Sequence, residues 1–398
     1  MGEHNSRLGS ATVGRETLIV EAVRTPVGRG HPEKGILKDV HPADLLGRAF
    51  EAVLQRSGVD STEIDNVIAG CVYQIAQQST GITRNAWLQK GLAASAGATT
   101  VDIRCGSGQQ AFNIGAMRIA TGTDEAVVVG GIEHMGRVGF PVNERAQEEW
   151  GRGMSDELLD RYQLVPQGES AELIADEWGI SRAEMDELAL SSHQRAQRAT
   201  EEGAFAREIV PVEVGDAVHS ADQGIRANSS LAALAGLKPA FREDGRVTAG
   251  NSSQISDGAA ALLLMSDQTA RRLDVRPRAK VVDHVVLGVD PITMLTGPIP
   301  ATTRILERNG LRIGDLDVIE INEAFASVVI AWAREHKPQM ETVNPRGGAI
   351  ALGHPLGSTG ARLLTTLLHE LEDGDLELGL VTMCCGGGLG TATLIQRM

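Results

Sequence analysis

The segment Thr100-Val101-Asp102-Ile103-Arg104-Cys105-Gly106 has a second, degenerate copy late in the chain, Thr342-Val343-Asn344-Pro345-Arg346-Gly347-Gly348. Each copy leads into the start of a helix that contains Gly and Ser. Two more pairs match in the same order, 66–70 with 317–321 and 127–131 with 381–387. Such internal similarity indicates two copies of one structural unit. Strand-like and helical patterns alternate around these segments, which predicts an α/β fold with a parallel or mixed sheet.

Hydrophobic periodicity places the individual elements around the repeated segment. It predicts strands at 17–22, at 66–71, just before Cys105 and at 125–129, the last ended by Gly130-Gly131, and helices at 42–55 and 107–120. Residues 135–255 are richer in charge, with helical stretches at 170–178 and 181–199 and little strand pattern. Strand-like runs resume at 258–265 and 280–288. The middle of the chain is therefore predicted to be an insert.

The repeat and the insert together predict four parts. They are a flexible leader (1–16), an N-terminal domain (17–134 plus 256–276), a loop domain (135–255) that binds substrate and contributes oligomer contacts, and a C-terminal domain (277–398). A cleft between two similar halves is a natural place for an active site.

Composition narrows the class of protein. Of 398 residues 42% are hydrophobic and 22% charged, which excludes wholesale disorder, and the net charge is -15. An acidic surface disfavours nucleic acid and anionic membranes as partners, and no apolar run is long enough for a membrane span. The four cysteines form no CxxC pair and no disulfide framework, so we expect no metal site and a reducing, cytoplasmic setting.

Two of the glycine-rich segments carry a candidate nucleophile and a candidate base. Cys105 stands between a strand and a helix start, where backbone N–H groups stabilise a thiolate. The alternative is a buried, inert cysteine. His354 stands between Gly353 and Pro355, in a loop that presents its ring to accept a proton from a thiol. The alternative is a structural histidine that bonds a turn carbonyl.

Two more segments follow predicted strands. Cys384 precedes Gly386-Gly387-Gly388 at the end of the predicted last strand, where backbone amides can approach a ligand closely. A vicinal disulfide with Cys385 is the alternative. Asn322 opens the segment Asn322-Glu323-Ala324-Phe325-Ala326, and its amide can orient a water molecule. A helix cap is the alternative there.

Together these segments resemble the thiolase family, the acetyl-CoA acetyltransferases and 3-ketoacyl-CoA thiolases, from about residue 17 to 398. The resemblance rests on Arg24-Thr25-Pro26, the Cys105 motif, Val247-Thr248-Ala249-Gly250-Asn251-Ser252-Ser253, Asn-Glu-Ala-Phe, Gly-His-Pro and the terminal Cys-x-Gly-Gly-Gly. It implies the thiolase fold, two similar βαβαβαββ domains layered α-β-α-β-α with an inserted loop domain. It also implies a CoA-dependent acyltransferase without a permanently bound cofactor, assembled as a homodimer or homotetramer.

The resemblance also implies roles for single residues. Cys105 is the acylated nucleophile, His354 accepts its proton, and Cys384 shuttles a proton to or from the acetyl-CoA α-carbon or the CoA thiol. Asn322 holds a water that forms one oxyanion hole with His354. The backbone amides of Cys105 and Gly386 form the other, and Cys385 is a small hydrophobic residue.

Further positions match the family's contacts to CoA and substrate. They are Arg226, Phe241, Ala249, Ser253, Met294, Ala324, Phe325 and Gln167. Pro166-Gln167-Gly168 replaces a His-Met-Gly segment of the acyl pocket in short-chain relatives, and Ala233 replaces a serine. Parts of the chain look similar to actinobacterial thiolases of the steroid side-chain type. These differences speak against acetoacetyl-CoA as the preferred substrate and admit a longer or bulkier acyl group, so lipid or steroid side-chain β-oxidation and acetoacetyl-CoA metabolism both stay open.

Two other functions are compatible with parts of this pattern. A ketoacyl-synthase-type condensing enzyme shares the duplicated fold, but it lacks a second catalytic cysteine such as Cys384. A non-catalytic lipid carrier on a thiolase scaffold tends to lose the nucleophile or the Asn-Glu-Ala-Phe motif, and this chain keeps both.

Overall fold

The computed structural model describes residues 15–398, so most of the predicted leader, residues 1–14, lies outside the described residues. The strands are β1 Thr17–Arg24, β2 Gly28–Arg29, β3 Asn66–Gly70, β4 Gly97–Val101, β5 Ala126–His134, β6 Val212–Val214, β7 Ala217–His219, β8 Ser256–Ser266, β9 Ala279–Gly288, β10 Val318–Ile321, β11 Leu378–Cys385 and β12 Leu389–Arg397. The α-helices are α1 Pro42–Ser57, α2 Ile82–Gln89, α3 Ser107–Ala120, α4 Phe140–Trp150, α5 Asp156–Arg161, α6 Gln167–Glu177, α7 Arg182–Glu201, α8 Leu231–Ala235, α9 Asp267–Arg272, α10 Pro298–Arg308, α11 Ala326–His336, α12 Ala349–Leu352 and α13 Leu356–Asp373.

The large sheet is made of two halves with one strand order. The N-terminal half runs β4-β3-β5-β8-β1 and the C-terminal half runs β10-β11-β12-β9. Val343 makes a parallel bridge to Ile319 of β10, in the place that β4 takes beside β3. The halves meet where β1 pairs with β9 through only two residue pairs, Leu18 with Lys280 and Ile19 with Ala279. The duplication predicted from the repeated segments is therefore visible in the sheet.

Helices cover both halves and separate them. α1 and α2 pack on the outer face of the N-terminal half, where Phe50 meets Trp87 edge to face. α10 and α11 cover the outer face of the C-terminal half around Trp332. The middle layer consists of α3 and α13, which bury residues such as Phe112 and Leu364 between the two half-sheets. This is the expected α-β-α-β-α order.

Glycines bring the backbones of the two central helices into contact at their N-terminal ends. A Cβ on Gly108 in α3 would lie 2.7 Å from the carbonyl oxygen of Gly357 in α13, and one on Gly131 of β5 would overlap that oxygen. Only glycine allows such an approach. Cys105 and His354, which precede α3 and α13, are therefore carried to the same junction.

The insert packs against the C-terminal half. The predicted helices at 170–178 and 181–199 are α6 and α7, which bury apolar residues against α11. The sequence reading missed the short antiparallel pair β6–β7.

Three predicted strand ends were wrong. β5 does not end at Gly130-Gly131 but continues to His134, since both glycines remain paired with β3 and β8. The strand before Cys105 ends earlier, at Val101, because Arg104 adopts a left-handed backbone with φ 57°. The strand carrying Cys384 is not the last one, for β12 follows it and pairs antiparallel along its whole length.

Candidate active site

Cys105 lies in a tight loop between β4 and α3. Ser107 holds this loop, since its Oγ accepts from Ile103 N–H at 3.0 Å and donates to the carbonyl of Arg104 at 2.5 Å. The thiol is 3% exposed, and burial raises its pKa to about 11, although the backbone N–H groups of Gly386 and of Cys105 itself face the Sγ and oppose that rise. The sulfur is therefore protonated at neutral pH and needs a base to become a nucleophile.

His354 lies between Gly353, whose φ is 106°, and Pro355. Its Nδ1 is 2.6 Å from the Thr359 Oγ1, and that hydroxyl donates its hydrogen to the Pro355 carbonyl at 2.8 Å. The Thr359 oxygen must therefore accept from Nδ1–H, which leaves Nε2 with a free lone pair.

The charge state of His354 agrees with this tautomer. Burial and then the positive charge of Arg362 lower the pKa of His354 to about 3, so the ring is neutral at physiological pH. The alternative prediction, a structural histidine that bonds a turn carbonyl, is wrong, because the ring bonds the Thr359 hydroxyl. The geometry is that of a base with its accepting nitrogen available.

Asn322 follows β10 directly, and its backbone N–H donates to Thr382 of the neighbouring β11 at 3.1 Å. Its Nδ2 is 3.4 Å from the His354 Nε2. Its Oδ1 is buried and has no hydrogen-bond partner among residues 15–398. The capping alternative is wrong, because α11 begins only at Ala326 with Phe325 at the cap position. An unsatisfied buried amide beside a base can hold a water molecule or a polar substrate atom.

Cys384 and Cys385 end β11 as two buried free thiols, so they form no vicinal disulfide. Neighbouring residues of a strand point to opposite faces. The Cys385 Sγ faces the backbone N–H of Gly106, beside the nucleophile loop. Burial, and next the charge that Cys105 carries as a thiolate, raise the pKa of Cys384, so this thiol is protonated at neutral pH.

The glycine loop after β11 closes one side of the site. Gly387 and Gly388 have φ of 83° and 77°, which suits only glycine. The backbone N–H of Gly387 donates to the Met294 Sδ at 3.4 Å. The amide of Gln167 lies over Gly386, so close that a Cβ there would overlap it.

A second, largely apolar wall lies beside this loop. The rings of Phe241 and Phe325 meet edge to face with centroids 6.1 Å apart, and Phe241 also packs against the Cα of Gly168. The Ser253 N–H donates to the Ala324 carbonyl at 2.9 Å, which ties this wall to the Asn-Glu-Ala-Phe segment. Six of the eight predicted CoA and substrate residues thus lie on connected surfaces.

The remaining two are Arg226 and Ala249. Both are exposed on the insert, and no hydrogen bond, ion pair or ring contact within the described part of the chain joins their side chains to Cys105, His354 or Cys384. The Arg226 backbone N–H donates to the His193 Nδ1 at 3.2 Å, and its guanidinium has no ion-pair partner between residues 15 and 398.

The sequence reading missed residues that hold the site in place. Thr359 fixes the ring of His354, as described above. Glu323 is a second supporting residue, and its motif alone does not reveal this role. Its carboxylate accepts from Ser192 Oγ at 2.6 Å, from Asn344 Nδ2 at 2.9 Å and from the backbone of Ile350 at 3.1 Å, and so it anchors the segment that leads to His354. The sequence signal that could have revealed Glu323 is its position directly after Asn322, at the end of a buried strand.

Residues 15–398 contain no group of three or more His, Cys, Asp or Glu side chains placed to hold a metal ion. Over the same residues no helix has both the length and the apolar character needed to cross a membrane.

Comparison with known proteins agrees with the geometry. The family models for the thiolase N-terminal domain and the thiolase C-terminal domain match residues 17–268 and 275–397. The steroid 3-ketoacyl-CoA thiolase FadA6 of Mycobacterium tuberculosis is 44% identical over 98% of this chain and 96% of its own length. A 3-ketoacyl-CoA thiolase of Shewanella frigidimarina is 41% identical over 96% of this chain and 100% of its own.

A solved structure shows the same fold. The acetyl-CoA acetyltransferase of Bacillus anthracis superimposes with a TM-score of 0.89 at 37% identity, over 98% of this chain and 100% of that one. Both halves, the insert and the order of the motifs are thus covered by one family. The chain belongs to the thiolase family of acyltransferases.

Proposed function

We propose that this acyltransferase cleaves a 3-ketoacyl-CoA with CoA, and catalyses the reverse condensation, through an acyl-Cys105 intermediate. One observation carries the proposal. A buried thiol that faces backbone N–H groups, a second thiol, and a neutral histidine with an unprotonated Nε2 all lie at the junction of β11 with the starts of α3 and α13.

In the first half-reaction the Cys105 proton passes to the His354 Nε2, and the thiolate attacks the 3-keto carbon. The bond between that carbon and C2 then breaks, and the electron pair leaves with the acetyl-CoA enolate, which takes a proton from Cys384. The N–H groups of Cys105 and Gly386 stabilise the keto oxyanion. Protonated His354 and a water on Asn322 stabilise the enolate oxygen, and one such donor contributes about 3 kcal/mol.

In the second half-reaction the Cys384 thiolate takes the proton of the incoming CoA thiol. The CoA sulfur attacks the acyl carbon and the bond to Cys105 breaks, with the electron pair staying on the Cys105 sulfur. That thiolate recovers its proton from His354, and all groups return to their starting state. The two half-reactions predict ping-pong kinetics.

For CoA we propose the wall of Phe241, Phe325, Ala324 and Ser253 as the pantetheine surface, with the unpaired guanidinium of Arg226 as a contact for phosphate. A local cation is needed because the chain has a net charge of -15. Ala249 and Met294 complete the proposed contacts.

The proposed acyl group is larger than acetoacetyl. Gln167 and Ala233 replace residues typical of short-chain relatives, and FadA6 is named as a steroid 3-ketoacyl-CoA thiolase. We further propose a homodimer or homotetramer in the reducing cytoplasm, where the four cysteines, all free thiols here, remain reduced. We also propose the four parts predicted from the sequence, namely a leader (1–16), an N-terminal domain (17–134 plus 256–276), a loop domain (135–255) and a C-terminal domain (277–398).

The test is CoA-dependent cleavage of acetoacetyl-CoA, a long-chain 3-ketoacyl-CoA and a steroid side-chain 3-ketoacyl-CoA. The Cys105→Ala variant should lose all three activities. Cys71→Ala, which removes another buried thiol, is the matched control and should keep them. A wild-type protein that cleaves none of the three, or a Cys105→Ala variant that still does, would overturn the proposal, and the first result would favour a carrier.

A further inference from the structure

An arginine without a close counter-ion stands directly before the nucleophile. The Arg104 side chain is 57% exposed, and the nearest carboxylate oxygen with which it pairs, Asp102 Oδ2, is 4.0 Å from its Nη1. That is too far for a hydrogen bond. The other oxygen of Asp102 is already engaged, because it accepts the backbone N–H of Arg104 at 2.7 Å. The five N–H donors of this guanidinium thus have no acceptor among residues 15–398.

The Arg104 side chain passes beside Gly386, whose backbone N–H faces the Cys105 sulfur. The Arg104 Cγ is 3.8 Å from the position that a Cβ on Gly386 would take, beside the N–H that faces the Sγ. Its positive charge works to lower the pKa of Cys105 and also that of Tyr73, against the effect of burial. Tyr73 in turn packs on Phe140 with ring centroids 5.7 Å apart. Neither Arg104 nor Tyr73 belongs to the proposed pantetheine surface.

Gln167 supplies a second free donor at the same place. Its amide lies over Gly386, and no hydrogen bond within the described residues engages it. Gly386 is therefore flanked by an uncharged amide and by the Arg104 side chain. A carboxylate on the acyl group would give both groups an acceptor, whereas a purely hydrocarbon acyl group would only displace water from them.

We propose that the acyl part of the substrate carries a second anionic group, a carboxylate, which Arg104 binds with help from Gln167. This deepens the proposed function and rests on it. Arg104 directly precedes Cys105 and lies outside the proposed pantetheine wall, so its guanidinium is the nearest cation in sequence to an acyl group on Cys105. Guanidinium binds carboxylate through two parallel N–H···O bonds, the strongest neutral-pH pairing that a protein offers.

The nearby acids leave the N–H donors of this guanidinium free for another acceptor, although the Asp102 carboxylate lies 4.0 Å from it. Asp102 is held by its backbone bond, and Glu133 is buried with its carboxylate accepting from Val72, Tyr73, Gln78 and Gly357. Glu144 on α4 acts on Tyr73, whose pKa it helps to raise. Neither Glu133 nor Glu144 pairs with Arg104.

The experiment compares two pairs of substrates. The first pair is 3-ketoadipyl-CoA and 3-ketohexanoyl-CoA, and the second is the eight-carbon 3-ketodicarboxylic acyl-CoA and 3-ketooctanoyl-CoA. Each pair differs only in a terminal carboxylate against a methyl group. The readout is the ratio of kcat/KM within a pair, so a general loss of activity cancels. We expect wild type to prefer the carboxylate at least about 10-fold, and Arg104→Met to reduce the ratio roughly 10- to 100-fold.

Two further variants sharpen the test. Arg104→Lys keeps the charge and should keep most of the preference. Arg271→Met removes an arginine that is 78% exposed on α9, at the far end of β8, and should leave the ratio unchanged. A wild type that cleaves the methyl substrates without preferring the carboxylates overturns this inference alone, even if the Arg104 variants do not fold. Cleavage of neither kind overturns the proposed function as well.

Discussion

Replacing Thr359 by valine tests how the base is prepared. Valine keeps the shape of threonine and removes the hydroxyl that lies 2.6 Å from the His354 Nδ1. Because both groups are buried, the change leaves a donor unsatisfied, which costs about 1–3 kcal/mol. The bond strengthens when His354 becomes positively charged on taking the Cys105 proton, so most of the cost falls on the transition state. Acylation by acetyl-CoA should slow roughly 5- to 150-fold.

A matched control separates this effect from a general loss of stability. Thr365 lies on the same helix, is also buried, and donates to the Ala361 carbonyl at 2.9 Å, as Thr359 does to Pro355 at 2.8 Å. Thr365→Val therefore removes the same backbone contact without touching the histidine. Thr359→Ser restores the acceptor and should recover most of the rate.

The assay is single-turnover acylation with acetyl-CoA, together with thermal unfolding of each variant. If Thr359→Val acylates as fast as Thr365→Val, then the hydroxyl does not set the tautomer of His354 and the assignment of its Nε2 as base is refuted.

Three more predictions follow from the site. Cys384→Ala should lower kcat at least about 100-fold in both directions, whereas Cys385→Ala should keep most activity and cost about 1–2 kcal/mol of stability; equal kcat values in steady-state assays would contradict this. Burial places the pKa of His354 at about 3 in the folded protein, below 6.5, so the unfolded chain binds that proton first and stability is lost as pH falls from 6.5 toward 3. At pH 5 this histidine alone should lower the free energy of unfolding by about 2 kcal/mol. The Tm of His354→Gln should therefore fall less between pH 8 and pH 5 than that of wild type, and an equal fall would contradict the prediction. Gly131→Ala should cost about 1–3 kcal/mol and most of the activity, because the methyl would overlap a carbonyl at the start of α13, whereas Gly153→Ala, whose Cβ meets nothing within 4 Å, should match wild type in unfolding and activity assays.

Local sequence patterns were sufficient for most of the fold. The helix predicted at 107–120 is α3 to the residue, and the one at 42–55 is α1 with two residues more. Amphipathic periodicity and helix-start residues determine such elements locally. The short pair β6–β7 was missed because three-residue strands carry too little alternation to be recognised.

The main residues of the proposed site can be recognised in the sequence, whereas the residues that support them cannot. Cys105, His354, Asn322 and Cys384 stand out because glycine-rich or strand-end positions expose them. Thr359 cannot be recognised in the same way, since its importance depends on a ring from the preceding loop and on a hydroxyl already committed to a carbonyl. The extension of β5 through Gly131 likewise depends on pairing with β3 and β8, which are distant in the sequence. Tertiary contact, not local propensity, decides these cases.

The central claim is that the acyl group is carried by Cys105. The direct measurement is mass spectrometry of protein quenched in acid after incubation with acetyl-CoA, followed by mapping of the modified peptide. The account predicts one acetyl group, located on Cys105, absent in Cys105→Ala and present in Cys71→Ala. An acetyl group on Cys384 instead, or none on the wild-type protein, would contradict it.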